Sequence, residues 1–223
     1  MDVKLFFQAL TKFLLGLIAI CLLLFVPAGT LNYFNGWLFI ALLFIPMFIV
    51  GIIVLVKSPE LLKRRLNAKE EENEQKMVIL ISGIIFFLSF ILAGLNFRFG
   101  WFKLPQIVII ISSIIFLLSY IMYGEVLREN AYLSRTVEVS ENQKVVDRGL
   151  YGLVRHPMYT STIFLFLSMP LILDSIFSFI IMLIYPIIIV FRIKNEEMIL
   201  EKELNGYKEY KEKVKYKLIP YLW

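Results

Sequence analysis

Apolar runs of about 18 to 20 residues, interrupted by short polar stretches, are the feature that most restricts what this chain can fold into. A helix of that length crosses the roughly 30 Å hydrocarbon core of a bilayer and satisfies its own backbone hydrogen bonds where no water can. The runs do not alternate polar with apolar residues, which excludes the strands of a membrane β-barrel. Of the 223 residues, 59% are hydrophobic, more than a soluble domain of this length carries. The predicted fold is therefore all-α, a polytopic helical membrane protein read as one integral membrane domain over residues 1–223.

Residues 1–123 hold four expected spans: Phe13–Val26, Trp37–Val56, Met77–Phe97 and about Gln106–Tyr123. The first is read as a retained span, because Val26-Pro27-Ala28 is a poor signal-peptide cleavage site. In the charged stretch Lys57–Lys76, Ser58-Pro59 reads as a helix start, with Ser as cap and Pro at the first helical position. Leu62 and Leu66 then share a face, so an amphipathic helix lying on the headgroups is expected at about 58–72. Residues 124–223 comprise a polar catalytic loop, an apolar segment and a tail. The apolar segment, Thr160–Val190, is too long for one span and carries Leu173-Asp174-Ser175 at its middle. It reads as a helical hairpin, which brings the total to five to six membrane helices. A cytosolic helical tail follows, broken at Asn205-Gly206.

The net charge of +5 comes from Lys and Arg concentrated in 57–76, 124–157 and the tail. The positive-inside rule then puts both termini in the cytoplasm, and the hairpin is the topology that allows this. Membrane lipids are the expected partners. Nucleic acid is not, since no basic surface remains once the helices are in lipid. A single cysteine, Cys21, and a single histidine, His156, exclude a disulfide framework and a His/Cys metal site. The Ile- and Lys-rich composition points to a bacterial cell membrane.

Residues able to carry chemistry gather between Val145 and Glu197. Arg192 and Glu196, four apart, share a helix face at the membrane boundary, where charge is costly unless paired or functional. An ion pair between them and a ligand-binding role both fit. Glu197 points about 100° away, as adjacent helical residues do, and is free to serve the tail. His156 precedes Pro157, which holds it extended in the approach to the hairpin, beside Arg155 and Tyr159. Asp147-Arg148-Gly149 forms a turn whose glycine lets the backbone come close to a ligand. Tyr151 could stack on a base or anchor in the interface. The sequence carries no phosphate-binding loop, nucleophile elbow or metal-ligand cluster.

Gln143-Lys144-Val145-Val146, Gly149-x-Tyr151, Arg155-His156-Pro157-x-Tyr159, Arg192-x-x-x-Glu196-Glu197-x-x-Leu200, Tyr207-x-x-Tyr210 and Ile219-Pro220 follow one another in order. In order and spacing this series resembles the isoprenylcysteine carboxyl methyltransferase family of integral membrane methyltransferases. Pro59–Arg65 also looks like bacterial members. The resemblance implies S-adenosyl-L-methionine as cofactor in a pocket open to the cytosol. Gln143, Lys144, Val145, Val146, Tyr151, His156, Pro157, Met158 and Tyr159 would line that cofactor, and Glu196 would hold its amino-acid end. Arg192 would contact the carboxylate of a lipid-like or prenylated acceptor. Ser161 stands where the family usually has Gly.

Two other classes stay open on the sequence. Sterol-reductase-like membrane enzymes share a His-Pro-x-Tyr element and a similar tail but use NADPH. They carry an Asp-Glu pair and a Lys-Tyr-Gly-x-x-Trp run, where this chain has Glu196-Glu197 and Asn205-Gly206-Tyr207. A non-catalytic lipid-binding protein would explain the helices and leave His156, Tyr159, Arg192 and Glu196 without a task.

Overall fold

The computed structural model describes residues 3–66, 73–133, 139 and 143–223. Among them the regular elements are helices: α1 (Val3–Ala28), α2 (Phe34–Lys57), α3 (Pro59–Leu66), α4 (Asn73–Phe99), α5 (Gln106–Glu129), α6 (Pro157–Ile172), α7 (Ile176–Met182), α8 (Ile184–Glu203) and α9 (Tyr207–Lys213). A 3₁₀ turn at Gly149–Gly152 precedes α6. Five helices are long and apolar enough to cross a membrane: α1, α2, α4, α5 and the run from Ile176 to Glu203. Their outward faces carry Leu15, Ile52, Leu80, Leu118 and Ile187, all exposed. So much apolar surface is stable only with lipid as its solvent, which marks an integral membrane protein.

The hairpin forms as expected, with unequal arms. Leu173-Asp174-Ser175 makes its turn, and Asp174 takes a positive φ of 58°. The first arm, α6, has 16 residues, about 24 Å at 1.5 Å per residue. The second arm runs 28 residues from Ile176 to Glu203, with only a joint at Leu183. It is longer than the apolar run suggested because the helix continues past Val190 through the charged residues. Likewise α5 extends beyond Tyr123 to Glu129, so Arg128 and Glu125 pair one turn apart on its last turns.

Polar bonds gather at the two ends of the bundle. At the hairpin-turn end, Tyr33 donates its hydroxyl to the Leu173 carbonyl at 2.5 Å. Asn96 donates to the carbonyls of Phe102 and Asp174 at 2.9 and 2.7 Å, and the Asp174 carboxylate accepts the Leu104 N–H at 2.6 Å. These bonds close loops that would otherwise leave backbone groups unpaired beside hydrocarbon. Between the ends, the core packs Phe39, Phe90 and Phe116 against α6 and α8 residues such as Met169 and Ile193.

The other end holds α3, the 3₁₀ turn, the start of α6, the end of α8 and the tail. Pro59 opens α3 as expected, and the Ser58 carbonyl takes the Leu62 N–H at 3.2 Å. Leu61 is buried, and Leu62 and Leu66 face a groove with α1 and α2. Lys12 of α1 donates to the Leu66 carbonyl at 2.6 Å, which ties the helix down. The part of the expected interfacial helix beyond Leu66 lies outside the described residues.

Helices α1 and α4 meet at Gly94. A Cβ there would stand 2.6 Å from the Leu24 carbonyl oxygen and 3.0 Å from the Ala28 nitrogen. Contact this close between membrane helices needs a residue without a side chain. Gly94→Leu is expected to lower stability by about 1–3 kcal/mol, read as an earlier midpoint in mixed-micelle denaturation by dodecyl sulfate.

Candidate active site

Pro157 occupies the first helical position of α6, where its missing N–H is no loss, and so His156 becomes the residue just outside the helix. The segment before it is held by the tail. The Arg155 and His156 amides donate to the carbonyls of Tyr216 and Lys217, each at 2.9 Å, and the Thr160 hydroxyl donates to the Leu218 carbonyl at 2.7 Å. Ser161 is fully buried and donates back to the Met158 carbonyl at 2.7 Å, so the extra hydroxyl is satisfied within its own turn.

Glu197 is the centre of this assembly. It is 4% exposed, and its carboxylate receives Arg155 Nε at 2.7 Å, His156 Nε2 at 3.2 Å and Lys217 Nζ at 3.0 Å. Arg155 also donates to the carbonyls of Val214 and Lys215 at 2.7 and 2.9 Å. Glu197 does serve the tail, as its angle from Glu196 suggested, and it also orients the loop histidine.

Glu196 and Arg192 share their helix face through a third residue. The buried Tyr159 hydroxyl donates to Glu196 Oε2 at 2.6 Å and accepts from Arg192 Nε at 2.8 Å. The arginine is thus linked to the carboxylate by way of the phenol, and its guanidinium carbon lies 6.0 Å from the Tyr159 ring centre. The His156 and Tyr159 rings stack at 5.7 Å.

These side chains wall a cleft of about 840 Å³ counted to its open mouth. Gln143, Lys144, Val145, Val146, Tyr151, His156, Met158, Tyr159, Arg192 and Glu196 all line it. Pro157 does not: it is buried beneath the cleft, where it starts α6. Sequence reasoning gave no role to Asn130, Tyr132, Leu133, Leu200, Leu204, Tyr207 and Tyr210, which with Arg155 complete the wall. The spacing Leu200…Tyr207-x-x-Tyr210 was the available signal for the last of these. Asn130 had none, since only the fold brings its amide within 3.0 Å of the Tyr151 hydroxyl. Gly149 plays a different part from the one its turn suggested. At φ 60° its bare Cα faces the Glu129 carboxylate, which accepts the next amide, that of Leu150, at 2.9 Å.

Burial pushes the phenols of Tyr151, Tyr207 and Tyr210 well above their ordinary range, and the Glu197 and Glu196 charges add to the effect at Tyr207. All three remain protonated donors at any working pH. Tyr210 donates to the Tyr151 carbonyl at 2.7 Å. The Tyr207 hydroxyl, buried in the cleft wall, has no partner among the described residues. A buried donor left without a partner on a residue that lines a cleft is a candidate contact for a polar ligand.

A second cavity, about 1100 Å³ to its open mouth, adjoins the first from the membrane side. Met158, Tyr159 and Arg192 line both. Much of its wall is apolar, with Val78, Ile79 and Phe86 of α4, Phe166 of α6 and Ile189 of α8.

A polar cleft and a largely apolar crevice thus meet at one end of a membrane helical bundle. Residues 104–205 match the phospholipid methyltransferase family, which includes the isoprenylcysteine carboxyl methyltransferase-like enzymes. The matched region runs from the start of α5 to the end of α8 and contains the loop from Gln143 to Tyr159 as well as Arg192 and Glu196. The match supports a membrane methyltransferase acting on lipid-like substrates. Comparison with curated proteins finds no match.

Glu197→Ala would leave Arg155 buried without its counter-charge and is expected to cost about 3–5 kcal/mol. Lys217→Ala removes a more exposed partner and is expected to cost about 1 kcal/mol or less. Thermal unfolding of the detergent-purified variants checks the ranking.

Proposed function

We propose that this protein transfers a methyl group from S-adenosyl-L-methionine to the carboxylate of a lipid-like or prenyl-bearing acceptor, at the cytosolic face of the membrane. The observation that carries the reading is the junction of the two cavities at Met158, Tyr159 and Arg192. A polar donor and a lipid acceptor, each in its own cavity, would meet there and nowhere else among the described residues.

The donor cleft offers what the cofactor requires. Glu196 would receive the ammonium of its amino-acid end, and the Tyr207 hydroxyl would find in it the partner it otherwise lacks. The segment Gln143–Val146, with Tyr151 and His156, would line the remainder. When bound, the cofactor supplies an electrophilic methyl on a sulfonium: a carboxylate oxygen forms the new O–C bond as the C–S bond breaks, and the bonding pair stays on sulfur.

The chain's own work is alignment and exclusion of water. A carboxylate needs no general base, so no residue has to take a proton. Donor and acceptor carry opposite charges that cancel in the transition state, which favours a dry site of low dielectric. Arg192 would orient the acceptor carboxylate with its planar fork. Its Nε is already committed to Tyr159, which limits how fully it can neutralise the nucleophile. The tail strap over Arg155 and His156 would hold the cleft wall still during the reaction.

Calorimetry with S-adenosylhomocysteine, and separately with NADPH, tests the reading. Binding of the first alone is expected. Glu196→Gln and His156→Ala should each weaken it about tenfold. Tyr207→Phe should weaken it less while leaving the unliganded chain as stable as before, since its hydroxyl has no partner to lose among the described residues. Arg192→Ala should spare binding and slow turnover. NADPH binding in place of S-adenosylhomocysteine would overturn the assignment in favour of a reductase.

A further inference from the structure

The acceptor crevice has a charged mouth, and half of that charge comes from outside the matched region. Among its described lining residues, the charged ones are Arg65 and Arg192. Arg65 is the next-to-last residue of α3, half-buried, and its Nη2 donates to the hydroxyl of Tyr123 on α5. Its guanidinium carbon lies 5.6 Å from the Tyr123 ring centre. Arg192 enters from α8 on the other side, held by Tyr159. Below the pair, α4 contributes apolar wall from Val78 to Phe86, about 12 Å of helix.

The placement of Arg65 is built into the fold. Leu61 is buried beneath α3, and the Lys12 ammonium holds the Leu66 carbonyl at its end. Arg64, one residue earlier, lies 6.0 Å from the ring centre of Tyr132, a wall residue of the donor cleft. One short helix therefore touches the walls of both cavities.

We propose that Arg65 is a second acceptor-recognition residue, which with Arg192 makes the crevice selective for a lipid whose head is an anion, a carboxylate or a phosphate, over one whose head is an amine. Two guanidiniums above an apolar shaft complement an anionic amphiphile, and each offers the planar fork that carboxylate and phosphate accept. A cationic head in the same place would face like charge with little water to screen it. The Tyr123 hydroxyl and ring fix the Arg65 side chain beforehand, so less rotamer freedom is lost when the head binds. Arg65 is a specificity residue: it stands at the crevice mouth and does not line the donor cleft.

The proposal rests on the acceptor reading above and is tested apart from it. The detergent-purified whole chain is titrated with hexadecanoate, hexadecyl phosphate or hexadecylamine at about pH 8.5, where the acids are ionised and the amine is protonated. Binding is read by native mass spectrometry. S-Adenosylhomocysteine binding is measured on the same samples. Either anion should bind in preference to the amine, and their order identifies the head. Arg65→Ala should weaken the anions about tenfold, Arg65→Lys should recover part of the loss, and Arg65→Glu should shift preference toward the amine. S-Adenosylhomocysteine affinity should stay within about twofold in all three variants, which also shows that they are folded. Equal binding of amine and anions by the unmodified chain, or anion affinity unaffected in Arg65→Glu, overturns the proposal. Failure of the unmodified chain to bind S-adenosylhomocysteine would instead count against the methyltransferase reading alone.

Discussion

A carboxylate buried at the end of a membrane helix is tenable only if cations are brought to it, and Glu197 organises its end of the molecule by that requirement. Arg155 and His156 come from the loop before α6, and Lys217 comes from the tail. Three segments distant in sequence are thereby fixed around one side chain. The tail in turn supplies backbone carbonyls to Arg155 and to the loop amides, so the loop has no freedom to fold away from the cleft. Removing either sign from such a cluster leaves the other buried and exposed to the full cost of desolvation.

Beside this rigid knot, the adjacent Glu196 keeps its carboxylate in the cleft, bonded to one phenol. Neighbouring residues on one helix thus divide the work by direction alone: one builds the site and the other faces it. Tyr159 stands where the two cavities meet and holds Arg192 at one lone pair while its proton goes to Glu196. The boundary of the two cavities thus carries a hydrogen-bonded chain from Arg192 through the phenol to Glu196, in a buried setting where such bonds are strong.

Much of this was legible in the chain. The apolar runs determined the spans, because hydrocarbon thickness sets a length and the backbone must be satisfied within it. The hairpin turn at Leu173–Ser175, the start of α3 at Pro59 and the break before Tyr207 followed from turn and capping chemistry, which acts over a few residues. Arg192 and Glu196 fell on one face by helical period. The order and spacing of the loop and tail motifs carried the family likeness and the cleft residues from Gln143 to Tyr159, Arg192 and Glu196, but gave no signal for Asn130, Tyr132, Leu133 or Leu204.

The tertiary structure alone decided how those residues bond. Tyr159 stands between Arg192 and Glu196, for which spacing had left both a direct ion pair and a ligand-binding role open. Gly149 makes room for Glu129, a residue twenty positions back. Pro157 lies under the cleft that its neighbours line. The second crevice draws on α3, α4, α5, α6 and α8, and no local pattern marks Arg65 or Tyr123 as members of it. Helical period and turn chemistry are short-range and can be read along the chain. Which buried charge meets which partner depends on how helices pack across the bundle, and in lipid that packing rests on close steric fit between faces that look alike in sequence.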